Sequence, residues 1–175
     1  MEYDDSSLLL NLVSKERKYK HPLCKTTLIK YGGAITSKQG WRHGERHNGV
    51  DMNLDQWGSV STAFDGKVRF AKEYEGYGKV VIVRHYNGLE TLYAHLARIK
   101  VTTGQDIKAG DLIGLAGRTG NSEGSHLHFE IRFRNKVLNP ENIIDFSNYC
   151  LKNDTVLIKK SGKDYIAVPA DYYHL

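Results

Sequence analysis

Apolar residues in the middle of this chain fall in short alternating or clustered runs broken by turn residues, the pattern of β-strands. Lys79–His85 and Leu89–Ala94 flank Asn87-Gly88, a strong hairpin signal. Val60–Phe64 and Lys67–Ala71 flank Asp65-Gly66 in the same way and predict a second hairpin. Val50–Leu54, Leu112–Ala116 and His126–Phe133 read as further strands, with turns at Thr103-Gly104, Ala109-Gly110, Gly117, Gly120 and Arg134-Asn135. The fold class expected for 31–146 is mainly β, an antiparallel sheet curling into an open barrel or sandwich. Short helices are expected to flank it, over Leu8–Lys15 and over Glu141–Asn148. Residues 1–30 form an N-terminal arm in this division. Residues 147–175 form a C-terminal extension with a hairpin from Thr155–Lys159 and Tyr165–Val168.

A length of 175 residues suits one domain with extensions. Hydrophobic residues at 40% and charged ones at 26% exclude a disordered chain. No apolar run is long enough to span a bilayer. Leu8–Val13 is short and follows Glu2, Asp4 and Asp5, so it does not read as a secretory signal. The net charge of +5 is scattered and reads as a solubility feature. Basic residues are not interleaved with aromatics, and no helix-turn-helix or zinc-finger spacing occurs, which argues against nucleic acid. Cys24 and Cys150 form no C-x-x-C pair, so a cysteine metal or redox site is not expected.

Histidine placement changes the picture. His47-Asn48-Gly49-Val50-Asp51 reads as a turn entering a strand, able to aim an imidazole and a carboxylate at one point. Both groups suit zinc. In the strand from His126, His126 and His128 project from one face while Leu127 points to the other. Such a pair serves either as metal ligands or in proton transfer. His95, in Tyr93-Ala94-His95-Leu96, closes a hairpin strand and gains weight only from the others. Catalytic zinc takes three protein ligands and leaves room for water, and a hydrolase also needs a proton carrier. Four histidines and one aspartate can fill these roles. The residues alone do not decide which of His126 and His128 binds metal.

The order H-x-x-x-D, Y-A-H-L, then G-x-H-L-H-F-E resembles the lysostaphin-type metallopeptidases, metallopeptidase family 23, which include LytM-like cell-wall hydrolases. Gly40-Trp41-Arg42, Gly110-Asp111-Leu112-Ile113-Gly114, Gly117-Arg118-Thr119-Gly120 and Asn139-Pro140 fit as well, so the match runs from about Tyr31 to Asp145. The resemblance implies one zinc per chain held by His47, Asp51 and His128. His95 and His126 would act beside it on the water and the tetrahedral intermediate. It implies an endopeptidase cutting peptidoglycan stem or cross-bridge peptides outside the cytoplasm, with a monomer favoured. The rival reading is a non-catalytic envelope protein that binds or activates another hydrolase; such relatives are expected to lack ligands or catalytic histidines, and here every position is filled. Outside the cytoplasm a Cys24–Cys150 bridge would persist and tie the arm to the domain's end. The segment Gly32–Gln39 could cover the cleft. Tyr172-Tyr173-His174-Leu175 is similar to the opening of a LysM wall-binding repeat, which would imply continuation into a binding module; the favoured expectation is a short β-tail packed on the domain. His43 and His85 are expected at the surface. Glu130 is either a ligand-supporting carboxylate or a sheet-face charge, and His21 and His174 lie outside the matched region.

Overall fold

The computed structural model describes residues 7–11, 33–42 and 44–169, most of them in strands. In chain order these are β1 (Ser7–Asn11), β2 (Ile35–Ser37), β3 (Gly40–Arg42), β4 (Glu45–His47), β5 (Val50–Asn53) and β6 (Ser59–Ser61). Three long strands follow: β7 (Gly66–Tyr74), β8 (Gly78–His85) and β9 (Leu89–Ile99). Then come β10 (Asp106–Ile107), β11 (Leu112–Ala116), β12 (His126–Phe133) and β13 (Lys136–Leu138). The last are β14 (Ile144–Asp145), β15 (Cys150–Leu151), β16 (Thr155–Ser161) and β17 (Asp164–Pro169).

The main sheet follows the open path β10-β7-β8-β9-β12-β5-β2, with β6, β11 and β13 attached to it. Every pairing among the described strands is antiparallel, as short turn-linked strands require. Alternation along β12 sends Leu127, Phe129, Ile131 and Phe133 into the main core, beside Val50 and Met52 of β5 and Tyr93 of β9. Each such side chain contributes about 1.5–3 kcal/mol by leaving water. The opposite face carries a smaller cluster, Val80, Ile82, Leu92 and Ala94, with Phe70 and Tyr77 packed on it. His126, His128 and Glu130 occupy this second face.

The Asn87-Gly88 hairpin forms as read, pairing β8 with β9. The tail hairpin forms too, and β1 adds to it as a third strand. Leu10, Val156, Ile158 and Ala167 join the same hydrophobic cluster as the main sheet.

Three expectations change. Asp65-Gly66 does not close a hairpin: β6 pairs with β11, and β7 pairs with β8 and β10. The backbone of Thr62 is already bonded to Gly110 and Asp111, and the Asp65 carboxylate accepts from Ala109 N–H. Ser7–Asn11 is a strand against β16, not the start of a helix; Leu12–Lys15 lie outside the described residues. The helix over Glu141–Asn148 is a 3-10 turn, Pro140–Asn142, capped by the Asn139 side chain and followed by β14. Asp145 then accepts from Ser147 and Asn148 N–H, a local bond that competes with helix continuation. Cys150 is disulfide-bonded; Cys24, the other cysteine of the sequence, lies outside the described residues, as do His21, His43 and the 172–175 segment.

Candidate metal centre

Register builds the site. On the face away from the core, Asp51 of β5 stands directly across from His128 of β12, and His128 from Ala94 of β9. His47 ends β4, and the Asn48-Gly49 turn folds it back over this row. The turn depends on Gly49, where a Cβ would lie 2.3 Å from the Phe129 carbonyl oxygen. The three residues are buried, and their facing atoms form a tight triangle. His47 Nε2 is 3.1 Å from Asp51 Oδ1 and 3.0 Å from His128 Nδ1, and the last two are 2.8 Å apart.

The outer partners determine which atoms carry hydrogen. His47 Nδ1 lies 2.8 Å from the Lys38 carbonyl, which can only accept, so this nitrogen donates and Nε2 keeps its lone pair. His128 Nε2 lies 3.0 Å from Glu130 Oε1, so it donates and Nδ1 keeps its lone pair. Burial would raise the Asp51 carboxyl, but bonds and charges from His128 and His47 hold it well below the carboxylate range. Burial works against a proton on His128, yet Asp51 and Glu130 outweigh it and raise its pKa. Three lone pairs this close repel unless positive charge lies among them. A proton on His128 answers this in part. A metal cation would answer it for all three at once, and its binding would release that proton. Two imidazoles and a carboxylate with hydrogen-bonded outer nitrogens form a donor set suited to zinc.

His95 and His126 flank this triangle by different means. His126 shares the face of His128 through ordinary alternation, and its Nε2 lies 3.8 Å from Asp51 Oδ1. Its Nδ1 donates to the Gly124 carbonyl at 3.0 Å. His95 should point into the core, because alternation places it opposite Ala94. Instead its backbone is left-handed, with φ +60, and the pairing of β9 slips beside it. This bulge returns His95 to the face of Ala94 and lets Leu96 rejoin the core. The His95 ring then lies 4.7 Å from that of His126 and 5.8 Å from that of His128. Its Nδ1 donates to the Thr119 carbonyl at 2.8 Å. Burial lowers its pKa to about 4, against the help of that carbonyl, so the ring is neutral at pH 7.

All five site residues expected from the sequence therefore line one cleft of about 710 Å³, together with Arg42, Tyr77 and Ser122 among others. The 33–39 segment supplies the edge strand β2, and Thr36 and Ser37 form part of the cleft wall.

Sequence reading left Glu130 undecided and passed over its partners. Glu130 is fully buried and accepts from His128, from Arg132 and from the Tyr77 hydroxyl. Burial pushes its carboxyl up, but the bonds and charges of His128 and Arg132 bring it down to about 2. The available signal was position: Glu130 shares a face with two candidate histidines on a strand with neighbours on both sides. Arg42 adds a guanidinium 3.2 Å from Asp51 Oδ2, the oxygen turned away from the triangle. His85 is not at the surface. It is 3% exposed on the core face, bonded to the Asp65 carbonyl and the Thr91 hydroxyl.

An antiparallel sheet carrying a converging His-Asp-His triangle with two further imidazoles defines a metallohydrolase-like centre. The family model described as Peptidase family M23 matches residues 45–140, and the chain belongs to that family. It is 40% identical over 97 residues to the DD-carboxypeptidase/endopeptidase Mpg of Neisseria meningitidis, covering 55% of this chain and 22% of that protein. The chain spans about a fifth of the length of the curated relatives it matches. Among solved structures, it is similar to a zinc containing peptidase from Vibrio cholerae. That likeness has 33% identity and a TM-score of 0.61, over 67% of this chain and 38% of the other. Lysostaphin from Staphylococcus simulans is similar at 26% identity and a TM-score of 0.58, over 67% and 52%.

Proposed function

We propose that the chain is a zinc-dependent endopeptidase that hydrolyses peptide cross-links of bacterial peptidoglycan outside the cytoplasm. The observation that carries this reading is four imidazoles in one cleft, each donating its outer N–H and turning its other nitrogen inward. His47 Nε2, Asp51 Oδ1 and His128 Nδ1 would hold one zinc ion. Zinc there supplies Lewis acidity toward a peptide carbonyl and makes water acidic near neutral pH.

The chain's own groups handle the protons and the charge. His95, neutral and anchored through Nδ1, offers Nε2 to take the proton of the attacking water. His126, anchored in the same way, offers a second inward nitrogen to orient the water, and the proton that His95 takes is the one returned to the leaving amine. The Arg42 guanidinium holds the outer oxygen of Asp51 and leaves Oδ1 facing His47 and His128. The peptidase names of the Neisseria and Staphylococcus relatives support a peptide substrate, and the similarity to the peptidoglycan DD-endopeptidase ShyA of Vibrio cholerae, 38% identical over 93 residues, supports one drawn from the cell wall.

The test is digestion of defined cross-linked muropeptides with products identified by mass spectrometry. Cleavage at a cross-link that stops on chelation and returns with zinc is the expected result. An intact substrate with fully zinc-loaded protein would sink the catalytic reading.

A further inference from the structure

We propose that Tyr77 is a positioning residue whose hydroxyl, acting through Glu130, fixes the aim of the His128 ligand and ties the site's segments together. This rests on the reading of the centre as a zinc site. Tyr77 sits at the tip of the β7–β8 hairpin, between Gly76 at φ +76 and Gly78 at φ +66. A Cβ on Gly78 would lie 2.4 Å from the Thr119 carbonyl carbon, so the tip is pressed against the Thr119–Asn121 loop.

The phenol bonds two neighbouring residues of the ligand strand. It donates to Glu130 Oε1 at 2.8 Å, the same oxygen that accepts from His128 Nε2–H. It accepts from Arg132 Nη2 at 3.3 Å, while Arg132 Nε holds the other Glu130 oxygen. The Tyr77 carbonyl accepts from His95 N–H at 2.9 Å, at the bulge itself. Its ring lies 5.6 Å from the His128 ring. One residue thus bonds both the β9 bulge and the β12 ligand strand.

The physical role follows from Glu130. A fully buried carboxylate beside an arginine would otherwise turn to share both oxygens with the guanidinium. The Tyr77 O–H holds Oε1 on the His128 side, where it orients the imidazole and keeps its Nδ1 lone pair facing the triangle. The phenol needs no contact with substrate for this.

The test measures zinc affinity of the full chain by chelator competition, with thermal melting and the visible spectrum of the cobalt-loaded protein beside it. Glu130→Gln is expected to lower zinc affinity about 10–100-fold. Tyr77→Phe, which removes a single oxygen, is expected to lower it about 3–10-fold and to shift the cobalt bands. Because Tyr77 acts through Glu130, the double variant should bind no more weakly than Glu130→Gln alone. Wild-type affinity and spectrum in Tyr77→Phe would overturn the proposal even if its melting point fell. Losses that multiply in the double variant would overturn the route through Glu130. Should Glu130→Gln not fold, the Tyr77→Phe measurement decides alone. A wild-type chain that takes up no zinc would overturn the reading of the centre itself.

Discussion

His85 and His128 are both buried imidazoles on the central sheet, on opposite faces and with opposite consequences. His85 donates to the Asp65 carbonyl at 3.0 Å and meets the Thr91 hydroxyl at 2.8 Å; the chain continues to the Tyr93 hydroxyl and Ala63 N–H. Both its nitrogens have a partner of the right kind, and no charge is needed. His128 has one satisfied nitrogen and one lone pair facing two others. Burial and residue type are shared, so neither marks function. The difference lies in convergence: a structural histidine ends its hydrogen bonds within the protein, while a candidate ligand leaves one facing its own kind.

The contrast can be broken most directly through metal content. Asp51→Ala or His128→Ala is expected to abolish zinc binding, and His85→Gln to leave one zinc per chain by elemental analysis. Full zinc in either ligand variant would end the distinction. Next in size is catalysis. His95→Ala should keep zinc and lose roughly 10²–10⁴-fold in turnover, the usual range for a lost proton carrier. Turnover close to wild type would make His95 a scaffold residue like His85.

The core histidine makes its own prediction in pH. Burial lowers its pKa from 6.5 to about 4. The unfolded chain takes up its proton as pH falls through 6.5, the folded one only near 4. Stability from this group is therefore full above pH 6.5 and declines by about 3 kcal/mol as pH falls to 4. Denaturant titrations across that window should show the slope in wild type and a flatter curve in His85→Gln. An identical slope in both would refute it. Tyr93→Phe, which breaks the chain without adding charge, should lower stability by about 1 kcal/mol and leave hydrolysis unchanged, as urea melts and activity assays can check.

Much of this contrast was visible in the sequence, for definable reasons. His126 and His128 follow strand alternation, and the Asn48-Gly49 turn marks how His47 is aimed, so local rules reach them. The β8–β9 hairpin was legible because Asn-Gly dictates its own turn. Asp65-Gly66 looked alike, but partners for its flanks come from Gly110, Asp111 and β11, far along the chain. His85 was misplaced because proximity to a turn says nothing about which face a strand end presents. Glu130 remained undecided because its partners, Tyr77 and Arg132, become meaningful only once β9 and β5 enclose β12.

The bulge at His95 has a consequence for anyone who would move this centre to another scaffold. Copying four histidines and an aspartate onto flat, regularly pleated strands would leave the fourth imidazole on the wrong side of the sheet. The recipient must also supply a residue at φ near +60 with an unpaired register beside it, a conformation most side chains resist. The portable unit is a side-chain pattern plus one backbone dihedral, and a design search keyed to side chains alone will overlook it.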